Sequence, residues 1–470
     1  MSECFITTGA VGSTETVTPI HICRPCAADK ILASLSQAQH NYANAHKFSG
    51  AAGQAVLLPG ENGDVALVLF GAGAVSDGYE DSALQAGTLA GKLGAGLYRI
   101  ASAPDDWDLT LLATAWGMGA YKFSRYLKNP HTPPTLVLND DMRPEETTAL
   151  VTAVNQGRNL INTPAGDMGP KALHAETKNL AKTHDAEFKA TIGKDLLKDN
   201  YPMIHAVGRA AHQKPRLLEI IWGDESNPSL ALVGKGITFD TGGLNIKSAT
   251  GMRIMKKDMG GAAHALSLAE MIMANKLPVH LHVFLAVAEN SVSGNAFRPG
   301  DVLSSRKGLT VEIDNTDAEG RLVLGDALTR ASEDNPDLIM DFATLTGAAR
   351  IALGPTLPPY FTNRDEMVSG VMACGTNQLD PLWHMPLWQP YMSLLSSPIA
   401  DMKNAGSSFA GSVTAALFLE KFIGDSQPWM HFDVYGWNPT DSPARPKGGE
   451  IFAVRGLYHW LKNGGLKTGV

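Results

Sequence analysis

"LTVEIDNTDAEGRLVLGDALTRASEDNPDLIMDFATL", residues 309–345, reads as strand, turn, helix and strand in succession. "LTVEID" alternates with period 2. Leu324, Ala327, Leu328 and Ala331 recur at i, i+3, i+4 and i+7, the spacing of one helix face, and "DLIMDFATL" returns to a strand. Between the first strand and the helix lies "NTDAEGRL" (315–322), with Asp317 and Glu319 two positions apart and Arg321 directly behind them. A strand-to-helix turn is where open α/β sheets put ligands and chemistry, so this octapeptide is the first candidate site.

The same rhythm runs upstream. "SLALVGKGITF" reads as a strand, "GAAHALSLAEMIMANK" as a helix with Ala262, Leu266, Ala269 and Met273 on one face, and "PVHLHVFLAVA" as a strand. Earlier still, "DVALVLFGAG" (64–73) and the Ala- and Leu-rich "DSALQAGTLAGKLG" (81–94) repeat the strand-helix alternation, so the fold class is α/β throughout. The Pro- and Asp-rich "NPHTPPTLVLNDDMRPEE" sets a boundary near residue 140, ahead of a connecting helix, "TTALVTAVNQGRNLIN", that "TPAGDMGP" stops. Two domains are expected, a smaller α/β domain over 1–140 and a larger one over 141–470 that starts with the connecting helix.

Composition narrows the function. With 44% hydrophobic and 18% charged residues, the 470-residue chain is that of a folded globular protein. A formal charge of −8 without any long basic run argues against nucleic acid as a partner, because phosphate neutralisation needs clustered Lys and Arg. The longest apolar stretch, "LPVHLHVFLAVA" (277–288), is about half the roughly 20 residues of a membrane span and carries two histidines, so no membrane is expected. Four cysteines are too few for a disulfide framework, and no secretory pattern opens the sequence, so a cytoplasmic setting is expected. Cys23 and Cys26 form a CxxC beside His21, but structural zinc needs four ligands and no second pair exists; reduced thiols are expected.

Further charged residues fall at strand ends or helix starts of the larger domain. In "VGKGITFDTGGLNIK" (233–247), Lys235 lies within a strand, Asp240 ends it beside a Gly-Gly turn, and Lys247 follows; in "MKKDMGGAA" (255–263), Asp258 precedes a helix. With Asp317 and Glu319 that makes four carboxylates expected at one edge of one sheet, where like charges raise each other's pKa unless neutralised. Divalent metal is the natural neutraliser, and two ions about 3.5–4 Å apart call for such bridging and terminal oxygens. Lys235 can join as an amine ligand if adjacent dications depress its pKa, leaving Lys247 and Arg321 to stabilise negative charge on a substrate. Taken singly, each acidic residue also fits an ordinary N-cap or a solvated loop. "GAGAVS" (71–76) lacks the third Gly of a dinucleotide fingerprint, "SLALVGKG" lacks the first Gly and the Ser or Thr of a P-loop, and neither HExxH nor GxSxG occurs.

"NTDAEGRL", "VGKGITFDTGG", "MKKDMGGAA" and "TLTGAA" (344–349) together resemble the leucyl aminopeptidase family, peptidase family M17, and the likeness extends through "LINTPAGDMGP", "PLWHMPLWQPY" and "DMKNAGSSFAGSVTAALFL". The resemblance implies a catalytic domain with a central mixed sheet flanked by helices, a smaller α/β domain in front, and a homohexamer. It implies that Lys235, Asp240, Asp258 and Glu319 hold the tighter of two divalent ions and that Asp240, Asp317 and Glu319 hold the exchangeable one. The ions are Zn²⁺ or Mn²⁺, with Mg²⁺ admitted at the exchangeable site. It further implies removal of the N-terminal residue from peptides with a free N-terminus through a two-metal-activated water. In that scheme Lys247 stabilises the oxyanion and Arg321 holds a bicarbonate general base. Met255, Thr344, Leu345, Gly347, Tyr435 and Asn438 fall where the family contacts substrate.

Two departures bear on specificity. Where the family has a short "DIAG" stretch, this chain has "HFDVYGWNPT" (431–440), so that Tyr435 replaces a small residue and Asn438 stands where Met is frequent. Tyr435 then narrows or reshapes the pocket, unless it packs in the core, and Asn438 makes the pocket less apolar. The usual Lys-Gly-Ala-Thr-Gly segment is replaced by "KGGEIFAVRGL" (447–457). Two other functions stay open on sequence: a nucleic-acid-binding protein on the same scaffold, and a two-metal phosphoesterase, which leaves Lys235 and the "TLTG" turn unexplained.

Overall fold

The early apolar runs form a six-stranded sheet of β1 (Phe5–Thr7), β2 (Val17–Cys23), β3 (Ala55–Pro59), β4 (Val65–Gly71), β5 (Leu97–Ser102) and β6 (Thr135–Leu138), in spatial order 1-6-5-2-4-3. All neighbours are parallel except β3 and β4, which a short loop joins as a hairpin. The computed structural model describes residues 4–75 and 82–466, so the start of the helix expected over 81–94 lies outside them; the described part is α1 (Gln85–Lys92). Helix α1 crosses α2 (Leu109–Gly119) so closely that a Cβ on Gly119 would stand 2.2 Å from the Gly87 carbonyl oxygen. This unit comprises Met1–Asn155 together with Pro439–Lys447. A Cβ on Gly87 would lie 2.5 Å from Ala444 Cα, so the late segment is packed within it.

The connecting helix, α3 (Pro144–Asn162), carries the chain onward, its residues to Asn155 counted in the first unit and those from Gln156 in the second, Gln156–Asn438 with Gly448–Val470. The second unit holds β7 (Glu187–Ile192), β8 (Arg216–Trp222), β9 (Ser229–Asp240), β10 (His280–Asn290), β11 (Val302–Ser304), β12 (Thr310–Glu312), β13 (Leu338–Ala343), β14 (Pro359–Thr362), β15 (Trp383–His384), β16 (Met402–Lys403), β17 (Trp429–Asp433), β18 (Trp437–Asn438) and β19 (Gly448–Gly449). Eight of them make a mixed sheet in the order 15-14-17-13-9-10-8-7, with β17, β13, β9 and β10 mutually parallel. β9 runs through its middle and is buried along nearly its whole length, which is why it reads as an apolar run rather than an alternating one.

Helices α4 (Gly260–Ala274) and α5 (Gly320–Glu333) cover opposite faces of β9, as alternating side chains require. On one face Gly234 lets α4 approach until a Cβ would be 2.7 Å from Ala262 Cα. On the other, Ala231, Val233 and Ile237 share a core with Leu324, Ala327 and Leu328 of α5. Lys235 belongs to that second face and points toward the start of α5.

One expectation changes here. "LTVEID" does form a strand, but β12 pairs with β11 and β16 in a separate three-stranded sheet. Gly308, at φ 88°, turns the chain back on β11, and the Asp401 carboxylate accepts both the Thr310 N–H and its hydroxyl, at 2.8 and 2.7 Å. The octapeptide therefore joins this small sheet to α5, and the four carboxylates come from three segments: the end of β9, the turn before α4 and the octapeptide.

Candidate active site

Asp240 closes β9, and a register shift at the end of β10 sets Asn290 opposite it. Its Oδ1 accepts from Gly242 N and Asn290 Nδ2, each at 2.8 Å. The chain then turns through Gly242 and Gly243 at φ 85° and 63°, a region open to glycine at little cost. This turn is tied to the octapeptide: Thr316 Oγ1 donates to Gly242 O at 2.7 Å, and Asn245 Oδ1 accepts from Thr316 N at 2.9 Å. Asn404 holds the octapeptide's other side, donating to the Asn315 carbonyl at 2.7 Å. Asp240, Asp317 and Glu319 thereby bring carboxylate oxygens to within 4.8 Å of one another.

Lys235 ties in the fourth carboxylate. Its Nζ is 2.7 Å from Asp258 Oδ2, 3.0 Å from Glu319 Oε1 and 3.1 Å from the Thr344 carbonyl. Asp258 sits on the short 3-10 turn Met255–Met259, and its other oxygen accepts from Thr344 Oγ1 at 2.7 Å. Lys247 Nζ lies 2.8 Å from Asp240 Oδ2 and also pairs with Asp317. Two of the buried groups without hydrogen-bond partners among the described residues bear on the chemistry: Glu319 Oε2, and Nε with Nη1 of Arg321 in the first turn of α5. The first suits a cation and the second an anion.

The charges follow from this crowding. Burial, with Asp240 alongside, pushes the Glu319 carboxyl up to about 8 and Asp317 up to about 6. Burial works against the Lys235 ammonium, but Asp258, Glu319 and Asp240 outweigh it and raise its pKa above the ordinary lysine range. Lys247 is raised in the same way, chiefly by Asp240 against burial. Burial brings Arg321 down to about 10, with Asp433 and Glu319 opposing. A cluster in which Glu319 retains its proton near neutrality is short of positive charge.

A cavity of about 590 Å³ opens on this cluster, lined by Lys235, Asp240, Lys247, Asp258 and Asp317 and also by Met255, Thr344, Leu345, Gly347 and Tyr435. Glu319 and Arg321 are not part of its lining. Tyr435 is half-buried at the cavity wall, with its hydroxyl accepting from Arg350 Nη1 at 3.1 Å, so it does not pack wholly in the core. Asn438 is 1% exposed, sits opposite Gly448 in the two-stranded β18–β19 ribbon, and is not part of the cavity lining.

Three residues carry more of the site than the sequence reading assigned them. The Asp433 carboxylate, at the end of β17, accepts from Leu345 N at 3.0 Å, Thr346 N at 3.1 Å, Thr346 Oγ1 at 2.6 Å and Ser412 Oγ at 3.3 Å, which fixes the "TLTG" turn. Lys257 and Arg350 line the cavity beside Tyr435. Asp433 lies within the quoted "HFDVYGWNPT", so its strand-end position was the available signal.

Comparison with known proteins agrees with this arrangement. Residues 155–458 match the profile of the cytosol aminopeptidase family catalytic domain, and residues 18–139 match the M17 aminopeptidase N-terminal domain. A probable cytosol aminopeptidase of Leifsonia xyli subsp. xyli (strain CTCB07) is 38% identical over 441 residues, 87% of this chain and 88% of that protein. The crystal structure of a cytosol aminopeptidase from Coxiella burnetii is 41% identical with a TM-score of 0.91, covering 98% of this chain and 99% of that one. The bottromycin maturation enzyme BotP, solved in complex with Mn, is 29% identical with a TM-score of 0.86 over 95% of this chain and 99% of its own. Both halves of the chain match domains of one peptidase family, and the carboxylates and lysines converge in the half matched to its catalytic domain: the chain belongs to the M17 family of cytosol, or leucyl, aminopeptidases.

Proposed function

We propose that the chain removes the N-terminal residue from peptides with a free α-amine, using two divalent metal ions and a bicarbonate. The observation that carries this reading is the convergence of Lys235, Asp240, Asp258, Asp317 and Glu319 in one cluster, four of them lining the cavity and Glu319 behind them with its Oε2 buried and unpartnered among the described residues. Lys235, Asp240, Asp258 and Glu319 would hold one ion and Asp240, Asp317 and Glu319 the other. A donor set of carboxylates with one amine suits Zn²⁺ or Mn²⁺, with Mg²⁺ admissible at the all-oxygen position, and BotP was solved with Mn. Such ions supply Lewis acidity and bring the pKa of water into the neutral range.

The chain's own residues supply the rest. Asp258, fixed by Thr344 Oγ1, is assigned to the substrate α-amine, which restricts cleavage to the first residue. Lys247 keeps its ammonium at the cavity wall and donates to the oxyanion that develops on the scissile carbonyl. Arg321 offers Nε and Nη1, a donor pair matched to a planar oxyanion, and so is assigned the bicarbonate that takes the proton from water. With Asp433 occupying the N–H groups of Leu345 and Thr346, the Leu345 carbonyl and Gly347 N–H are assigned to the substrate backbone.

The test is an aminoacyl-amide panel assayed with Zn²⁺, Mn²⁺ or Co²⁺ after chelation. Cleavage returns with metal, N-acetylated peptides resist it, and Glu319→Ala and Asp240→Ala each lose far more than tenfold at saturating metal. A loss below tenfold in both variants sinks the mechanism. The family's hexamer is carried with the proposal: light scattering should give six times the 50.0 kDa chain mass. The relatives' name supports a cytoplasmic setting, and among the described residues no helix is long and apolar enough to cross a membrane.

A further inference from the structure

Four cations line the cavity, and they are not equally committed. Lys235 is paired with Asp258 and Glu319, and Lys247 with Asp240 and Asp317. Among the described residues Lys257 comes within ion-pair reach only of Asp258 Oδ1, at 3.8 Å, an oxygen that already accepts from Thr344 Oγ1. Arg350, in the short helix α6 (Gly347–Leu353), makes no ion pair among the described residues; its polar contact is the Tyr435 hydroxyl. Both uncommitted cations stand about the Tyr435 ring, Lys257 Nζ at 5.1 Å and Arg350 Cζ at 5.1 Å from its centre. Because the hydroxyl accepts from Arg350, its own proton is available to an acceptor in the cavity.

We propose that this wall selects peptides whose N-terminal residue carries a carboxylate, glutamate or aspartate. The inference rests on the aminopeptidase reading above. The three carboxylates in the lining, Asp240, Asp258 and Asp317, are taken up by the paired lysines and the ions, and Asp433, which lies beside Tyr435 and Arg350, is taken up by four hydrogen-bond donors, so Lys257 and Arg350 are the charges left to a side chain at Tyr435. A carboxylate there would accept from a guanidinium, an ammonium and a phenol, charge-assisted bonds about twice as strong as neutral ones. Lys257 directly precedes Asp258, the residue assigned to the α-amine, so a charge at this point reads the side chain of the same residue. If the two cations served only to pack against the ring, the wall would favour neutral side chains.

Glutamate against glutamine separates charge from shape. On aminoacyl coumarin amides, which have no C-terminal carboxylate, kcat/KM for Glu should exceed Gln at least tenfold in the metal-loaded enzyme. That ratio should fall at least fivefold in Arg350→Gln and in Lys257→Met and survive in Lys257→Arg. Arg350 is exposed, so its variant folds even if a change at buried Lys257 does not. Cleavage of the Leu amide with Glu no better than Gln overturns the inference and leaves the aminopeptidase reading intact. No cleavage of any member with any metal overturns both. Equal Glu and Gln rates, with Leu-Gly preferred over Leu-Gly-amide in an Arg350-dependent way, would assign carboxylate recognition to the peptide's other end and overturn it as well.

Discussion

Gly320 follows Glu319 and opens α5, and its lack of a side chain is what lets the helix start against Lys235. A Cβ there would stand 2.6 Å from Lys235 Cε and 2.8 Å from Nζ. Gly320→Ala should therefore displace the amine from Asp258 and Glu319 and lower kcat/KM at least tenfold, with far-UV circular dichroism unchanged; full activity would show that Lys235 can give way without cost. Asp433→Asn keeps the shape but removes the charge and one of the acceptors that hold the "TLTG" turn. Its expected signature is a KM raised more than kcat is lowered, about tenfold in kcat/KM, or about 1.4 kcal/mol. The charged positions of the cluster were legible in sequence because strand ends and glycine turns mark them. Lys257 and Arg350 were not, since a lysine in a basic doublet and an arginine on an exposed helix turn look like solvated surface. Asn438 aligned with a pocket position, yet a two-residue ribbon buries it away from the cavity lining.

Among the elements, β8, β10 and α5 are joined by ions where they meet. His282 on β10 reaches Asp334 at the end of α5 at 3.0 Å and Glu219 on β8 at 3.5 Å, and Arg330 reaches the same two carboxylates at 2.7 and 3.7 Å. Burial disfavours the His282 cation, but Asp334 and Glu219 prevail and raise its pKa; His282 and Arg330, against burial, hold Asp334 down at about 2. A histidine raised in the folded state contributes stability that is fully present below its unfolded pKa of about 6.5 and fades as pH climbs through the folded value. His282→Gln should cost about 1–2 kcal/mol at pH 5.5 and clearly less at pH 9, read as the shift in Tm at each pH. An equal loss at both would assign the role to packing on Phe284, whose ring lies 3.9 Å away. The elements themselves were readable because β9, α4, β10, α5 and β13 are long and strongly patterned. β12 was readable as a strand but not in its partners, since three residues carry no record of which sheet they join.

Across the whole molecule the chain changes unit at 155–156, 438–439 and 447–448. The last two crossings flank an excursion that leaves and returns at the β18–β19 ribbon, where Asn438 faces Gly448. Replacing Pro439–Lys447 by Asn-Gly should close that ribbon with a tight turn, leave the second unit's exchange protection intact and raise hydrogen exchange over α1, against which Ala444 packs. Unchanged exchange in α1 would show the excursion to be ornamental. The sequence suggests a boundary near residue 140, whereas the chain first changes unit at 155–156, and the nine-residue "PTDSPARPK" reads as an ordinary surface loop and reveals nothing of where it docks. The excursion also sets an order of events during synthesis. At ~5–20 residues per second, residue 447 leaves the ribosome roughly 15–60 s after residue 155. The first unit must wait that long, one piece short, and a chain cut off before residue 439 lacks the segment that packs on α1. The first unit's completion thus requires translation to have passed residue 447.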